Sequence, residues 1–222
     1  MRLRNDFIDK KKIKEFLSEL REPIYFLDFE TFQMAIPKYD NVSPYMQVPF
    51  QYSLHYIKNG TLYHKEFLAK EGIDPRKDLA EALVKDIPTN VTVLAYNMSF
   101  EKNVIKKLAE LYPDLKSSLM KIYSNIYDLM IPFRERSYYS KDMDGSYSIK
   151  YVLPALFPND ESLNYKNLDL IHNGSEAMDS FASLENKSEE EKKAIRENLL
   201  KYCKLDTYAM VKIYEKLKEA IK

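Results

Sequence analysis

Cysteine, glycine, histidine and tryptophan are all scarce in this chain of 222 residues. The only cysteine is Cys203, so no intrachain disulfide can form, and a lone thiol fits a reducing compartment. Four glycines are too few for collagen-like, linker-rich or phosphate-loop architectures. Net charge is absent as well: 34 Lys and Arg balance 34 Asp and Glu. That excludes a protein coating nucleic acid by bulk charge and leaves only a local basic groove for such a partner. No apolar run approaches a membrane span. The start, MRLRNDFIDKKK, is charged without an apolar core, unlike a signal peptide. The expectation is a soluble, cytoplasmic protein with no membrane partner. An N-terminal Met leaves open that the domain is cut from a longer chain, and a homo-oligomer is equally open.

What is present suits one globular domain. Apolar residues make up 45% and charged residues 31%, and a globule of this size hides roughly 72% of its unfolded surface. Residues 7–21 carry Phe7, Ile8, Ile13, Phe16, Leu17 and Leu20 at helical spacing, stopped by Pro23. The run IYFLDF at 24–29 suits a buried strand. Segments 50–57 and 62–68 flank Asn59-Gly60, a strong hairpin signal. A helix is expected from Asp74-Pro75 to about Ile87, with Asp74 as its cap. A strand at 91–95 and a helix at 99–111 capped by Ser99 follow. A short strand within 122–128, a helix at 128–136 and a loop at 137–147 come next. A short or kinked helix holding Pro154 precedes an irregular stretch at 158–174. Ser188 and Glu191 form a capping-box pattern opening the longest helix, to about Ile221. This order predicts an α/β or α+β fold with a mixed sheet. Strands 24–30, 50–57, 61–68 and 91–95 should share it.

Three groups of acids stand out. Asp28 and Glu30 alternate along an apolar strand, so both face the side shared by Ile24 and Phe26. They either emerge into water at the strand end or meet a divalent cation that compensates both charges. Asp206 lies in the middle of a stripe of Ile195, Leu199, Tyr202, Ala209, Met210, Ile213 and Leu217. Positions 195 and 217, eleven residues to either side, return to nearly the same azimuth at ~100° per residue. An Asp facing a core needs an ion pair, hydrogen bonds or a metal. Tyr202, one turn earlier, shares its face and alone would be core packing. Glu101, in AYNMSFEKNVI, falls in the first turn of a helix, where complementing the helix dipole is its ordinary role.

Together these pieces resemble a known family. Asp28-x-Glu30, Asn97-x-x-Phe100-Glu101 and Tyr202-x-x-x-Asp206 occur in the order of the three motifs of the DEDD 3′-5′ exonucleases. That superfamily includes ribonuclease T, oligoribonuclease, ribonuclease D and polymerase proofreading domains. Asp128-Leu129 and Ser146-Tyr147-Ser148-Ile149 resemble a secondary element of it. More closely, FLDFETF, PFQYSLH, YNMSFEKN and GSYSIKYVLPAL look like an uncharacterised prokaryotic domain family usually placed among these nucleases, often at the end of longer proteins. Glu101 departs from the usual Asp, and Lys201 stands where one branch has His. Tyr202 matches the Tyr-type branch.

The resemblance implies an α/β, ribonuclease H-like fold with a mixed central β-sheet flanked by α-helices. The single domain of residues 1–222 would hold an N-terminal helix within 1–21 and a core over 22–217. The implied activity is two-metal hydrolysis of phosphodiester bonds at a single-stranded DNA or RNA 3′ end. Two Mg²⁺ or Mn²⁺ ions would be held by Asp28, Glu30, Glu101 and Asp206, with Tyr202 orienting the attacking water. Hard oxygen ligands suit those ions and explain a site without His or Cys. Asn97, Phe32, Tyr147, Ser148 and Lys150 would bind substrate. Tyr138, Tyr139 and Tyr147 among Arg134, Arg136, Lys141 and Lys150 suit single-strand stacking, or simply an amphipathic surface loop. A catalytically silent nucleic-acid- or protein-binding module, or an endonuclease on the same fold, would share these features.

Overall fold

The computed structural model describes residues 6–222. A first short strand, β1 (Phe7–Ile8), precedes helix α1 (Lys10–Ser18). Then come β2 (Ile24–Phe32), β3 (Val48–Lys58), β4 (Thr61–Leu68) and α2 (Arg76–Asp86). β5 (Thr92–Ala95) leads through α3 (Ser99–Leu111) and α4 (Lys116–Ser124) to β6 (Ile126–Asp128). α5 (Ile131–Arg134), β7 (Tyr138–Tyr139), α6 (Ile149–Leu156), α7 (Gly174–Ser183) and α8 (Glu189–Ala220) complete the chain.

Five strands form one mixed sheet in the order β4-β3-β2-β5-β6. β2, β3 and β4 form an antiparallel meander, and β5 and β6 join it in parallel. The β3–β4 turn is the expected two-residue loop: Asn59 and Gly60 have φ of 52° and 74°, conformations these two residues tolerate best. Parallel pairing requires a crossover, which α3 and α4 supply between β5 and β6.

Alternation along β2 separates two cores. Tyr25, Leu27 and Phe29 face α2, α3 and α4, packing with Leu79, Leu83, Ile105 and Leu108. Ile24 and Phe26 face α8, packing with Met210, Ile213, Tyr214 and Leu217. A third cluster, with Phe32, Phe50, Ile171, Phe181 and Leu199, closes the sheet end beneath α7. Sheet faces covered by helices on both sides explain why β2 reads as a nearly continuous apolar run.

Several boundaries differ from the sequence expectation. Phe7 and Ile8 are strand, paired with Tyr139 and Tyr138, because Asp9 accepts a hydrogen bond from the Lys12 N–H and starts the helix at Lys10. Residues 1–5 of the expected N-terminal helix lie outside the described residues. The short strand expected within 122–128 is present as β6, at its end; α4 before it, at 116–124, was not expected and buries Leu119 and Ile122 at i, i+3. α7 was not expected; Asn173 caps it, accepting from the Glu176 N–H. Ser99 is the first helical residue of α3 rather than its cap, and the Asp74 cap shifts to Pro75. The Ser188–Glu191 capping box is present as expected.

α8 is fastened to the meander by a buried polar ladder. Gln51 Nε2 donates to the Leu199 carbonyl at 2.9 Å. Thr207 Oγ1 lies 2.7 Å from Ser53 Oγ and 2.8 Å from His55 Nδ1. Ser53 Oγ also meets His64 Nε2 at 3.0 Å. Replacing Thr207 by Val keeps the shape but takes the partner from buried His55 Nδ1 and leaves Ser53 Oγ with His64 alone. Thr207→Val should therefore lower unfolding free energy by about 1–3 kcal/mol, measured as a shift in denaturant midpoint. An unchanged midpoint would show that the ladder does not hold the helix.

Candidate metal centre

β2 brings Asp28 and Glu30 to the face that α8 covers. Their cross-strand partners there are Ser53 and Gln51, which belong to the ladder beneath α8. α8 presents Tyr202, Cys203 and Asp206 to the same place, and all the apolar members of the expected stripe from Leu199 to Leu217 are buried. α3 contributes Glu101 from its first turn, since β5 ends just before it. Asn97 takes φ of 67° in the intervening turn, a conformation Asn tolerates, and its N–H donates to Asp128 Oδ1 at 3.0 Å.

Four carboxylates converge here, and the charge of one base, Lys150, reaches Asp206. Glu30 is 8% exposed and Glu101 2%, while Asp28 and Asp206 are partly buried. None of the four forms an ion pair among the described residues. Glu101 Oε2 is buried without any hydrogen-bond partner, and its charge acts on Asp28 and Glu30. Asp206 accepts a hydrogen bond from Tyr165 Oη at 2.6 Å rather than pairing with a base.

Burial, then mutual repulsion, sets the protonation of the group. Burial pushes Asp28 well above the usual carboxylate range, and the charges of Asp206, Glu30 and Glu101 add to it. Glu30 moves the same way, through burial and then Asp206 and Glu101. Burial raises Glu101 to about 8 and Asp206 to about 7, with hydrogen bonds from Tyr165 and Tyr202 opposing the latter shift. Burial and Asp206 push the Tyr202 phenol up, so it stays protonated. Four clustered carboxylates, one with an orphaned buried oxygen, fit a divalent cation held by hard oxygen donors.

Two hollows open over the cluster. One, of about 620 Å³, is lined by Lys150, Tyr165, Asn173, Tyr202 and Asp206, with Phe157 and Pro158 on its apolar side. The other, of about 430 Å³, is lined by Glu30, Phe100, Lys150, Asn173 and Gly174. Lys150 and Asn173 belong to both, so a basic and an amide side chain overlook the acids. Tyr147 and Ser148 are exposed just before α6, and the Tyr147 carbonyl accepts from Tyr96 Oη.

Other expected substrate contacts fall elsewhere. Phe32 is 4% exposed and packs against Tyr39, Phe50 and Phe181, so no face of its ring is left for a base. Tyr138 is core, packed on Phe133, which narrows the proposed stacking loop to Tyr147 and its neighbours. Asp128 is a structural acceptor, bonded by the Asn97 and Met130 N–H groups and by Arg134. Tyr165 and Cys203 were not anticipated. Tyr165 lies in an irregular segment with no periodic signal, whereas Cys203 sits three residues before Asp206, a spacing that shares a helix face.

The family described as "Domain of unknown function (DUF2779)" matches residues 25–148, more than half of the chain. The chain belongs to this family. The DUF2779 match contains Asp28, Glu30 and Glu101 and ends before Tyr202 and Asp206. Over 95% of its length the chain is 28% identical to "Uncharacterized protein MG366" of Mycoplasma genitalium. It is equally similar, over the same share, to the "MG366 homolog" of Mycoplasma pneumoniae. "Uncharacterized protein UU173" of Ureaplasma parvum is 28% identical over 70% of the chain. The chain spans about a third or less of these relatives, at 34%, 34% and 25% of their lengths. No solved structure matches.

The two charge networks make stability depend on pH in opposite senses. Burial lowers His55 to about 3 and His64 to about 4. They remain neutral when folded, so their contribution is complete above about pH 6.5 and is lost as pH falls toward 3. The carboxylates hold protons when folded that the unfolded chain releases near pH 4. Their contribution is complete below pH 4 and is lost as pH rises through about 7 and 8. Above pH 6.5 the carboxylates act, joined above about pH 8 by the Cys203 thiol, which burial also keeps protonated in the folded chain. In metal-free buffer the melting temperature should fall from pH 6.5 to 9, Mn²⁺ should reverse the fall, and Asp28→Asn should blunt it. A flat profile over that range in the chelated protein would contradict the charge cluster.

Proposed function

We propose that this protein is a metal-dependent 3′-5′ exonuclease of the Tyr-type DEDD class, on a ribonuclease H-like fold, acting on single-stranded DNA or RNA ends. One observation carries the reading: among the described residues, buried carboxylates from β2, α3 and α8 gather without an ion pair, and one oxygen has no hydrogen-bond partner. The order of the three sequence motifs and a mixed sheet with a leading antiparallel meander support it.

Asp28, Glu30, Glu101 and Asp206 would hold two Mg²⁺ or Mn²⁺ ions. When bound, such ions stabilise charge on the phosphate and acidify a water that then attacks near neutral pH. The chain's own groups do the rest. Tyr202 stays protonated at the cluster, its one O–H given to Asp206, and orients the attacking water through its oxygen rather than removing its proton. Lys150, overlooking both hollows, meets a phosphate oxygen. Asn173 offers an amide beside it, and Tyr147, Ser148 and Asn97 lie exposed for the strand leading away. Phe157 and Pro158 give the larger hollow an apolar wall for a base. Hydrolysis joins the water oxygen to phosphorus as the bond to the 3′ oxygen breaks, and that oxygen takes up a proton.

End-labelled DNA and RNA oligomers with Mg²⁺ or Mn²⁺ should be shortened stepwise from the 3′ end, and circular substrates should survive. Cleaved circles would instead identify an endonuclease, and no cleavage of any substrate a silent binding module. Asp28→Asn should abolish turnover and shrink the Mn²⁺-induced rise in melting temperature. Tyr202→Phe should keep that rise while turnover falls by roughly 10²-fold. Full activity in either variant would refute the assigned roles.

A further inference from the structure

The geometry points to Cys203 as a sulfur ligand that gives the carboxylate site a preference for Zn²⁺ and Cd²⁺ over Mg²⁺. The inference rests on the cation-binding half of the reading above and adds a donor of a different chemical class. Cys203 Sγ lies 3.7 Å from Asp28 Oδ2 and 3.9 Å from the Asp28 carbonyl oxygen. Sγ and one carboxylate oxygen each of Asp28 and Glu30 all lie within 4.8 Å of one another. Sulfur and oxygen ligands on one tetrahedral ion, at about 2.3 and 2.1 Å, stand roughly 3.6 Å apart. The donors are therefore already near the spacing that a shared ion requires.

A second observation is independent of the thiol. Glu101 Oε2 is buried and unpartnered, and its charge acts on both Asp28 and Glu30. The close donor group itself is Cys203, Asp28 and Glu30, and Glu101 adds a buried carboxylate with one unpartnered oxygen, whose charge reaches it. A cysteine packed only for volume would meet apolar neighbours; this one is fully buried yet has carboxylate and carbonyl oxygens of Asp28 as its polar contacts.

The chemistry of the donors then separates the cations. Mg²⁺ requires near-octahedral hard oxygen and gains nothing from sulfur, so it binds through the carboxylates alone. Zn²⁺ and Cd²⁺ recruit the thiolate. The S–H bond breaks as the S–metal bond forms, and the proton leaves to buffer.

Titrating the intact chain with Cd²⁺, Zn²⁺, Mn²⁺ and Mg²⁺, by heat and by the ultraviolet sulfur-to-cadmium charge-transfer band, tests this. Wild type should develop the band. Cys203→Ser, which keeps the shape and should retain a native melting curve, and Cys203→Ala should both lose it. Cd²⁺ and Zn²⁺ affinity should drop roughly 10- to 100-fold in these variants, while Mg²⁺ affinity changes less than about threefold. Asp28→Asn should weaken all four ions. Cd²⁺ bound without the band, or an unchanged Cd²⁺/Mg²⁺ ratio in Cys203→Ser, overturns the sulfur ligand and leaves the exonuclease reading standing on its own assay. The band in a protein that cleaves nothing supports the sulfur ligand and sinks the exonuclease. Absence of any divalent binding overturns the inference as well.

Discussion

Negative charge confined beneath a long helix is the constraint on which this structure turns. α8, 32 residues long, crosses the sheet face that β2 lines with Asp28 and Glu30. A helix and a sheet normally meet through apolar side chains alone. Here the contact is apolar toward the C-terminal half of α8, through Met210, Ile213 and Leu217. It turns polar at Thr207 and acidic at Asp206 and Cys203. The apolar half and the polar ladder together supply the binding that holds the carboxylates close and protonated in the absence of a cation.

The surrounding elements each serve that joint. The β2–β3 pairing places Gln51 and Ser53 opposite Glu30 and Asp28, so the meander carries hydrogen-bonding groups to the underside of α8. β5, paired in parallel with β2 as far as Leu94, ends at Ala95, which delivers α3 and its Glu101 to the end of the sheet where the acids lie. α7 closes the remaining side: a Cβ on Gly174 would stand 3.7 Å from Glu30 Oε2. The acids thus come from three separated parts of the chain, and no single helix or strand could assemble them.

The opposing pH responses have the same origin. Burial penalises whichever form is charged. The histidines of the ladder stay neutral by releasing a proton, and the carboxylates by keeping one. A divalent cation removes the reason for the second shift and leaves the first untouched. The polar ladder is therefore indifferent to a divalent cation, whereas the acidic cluster would respond to one.

Much of this was legible in the residues. The period-2 run of IYFLDFE placed Asp28 and Glu30 on one face, Asn59-Gly60 marked the hairpin, and Ser188 with Glu191 marked the start of α8. The azimuth of Asp206 within its stripe showed that an acid would face the core. These signals are local, because backbone geometry fixes side-chain direction within a few residues. The short pairing of Phe7 and Ile8 with Tyr139 and Tyr138, the burial of Phe32 under α7, and the reach of Tyr165 to Asp206 across 41 positions had no such signal. They depend on where a loop crosses the finished core, which only the packing of distant elements determines. The sequence by itself determined which side chains share a face; the tertiary structure decided which faces meet, because burial energy is collected only when the whole sheet and its helices close together.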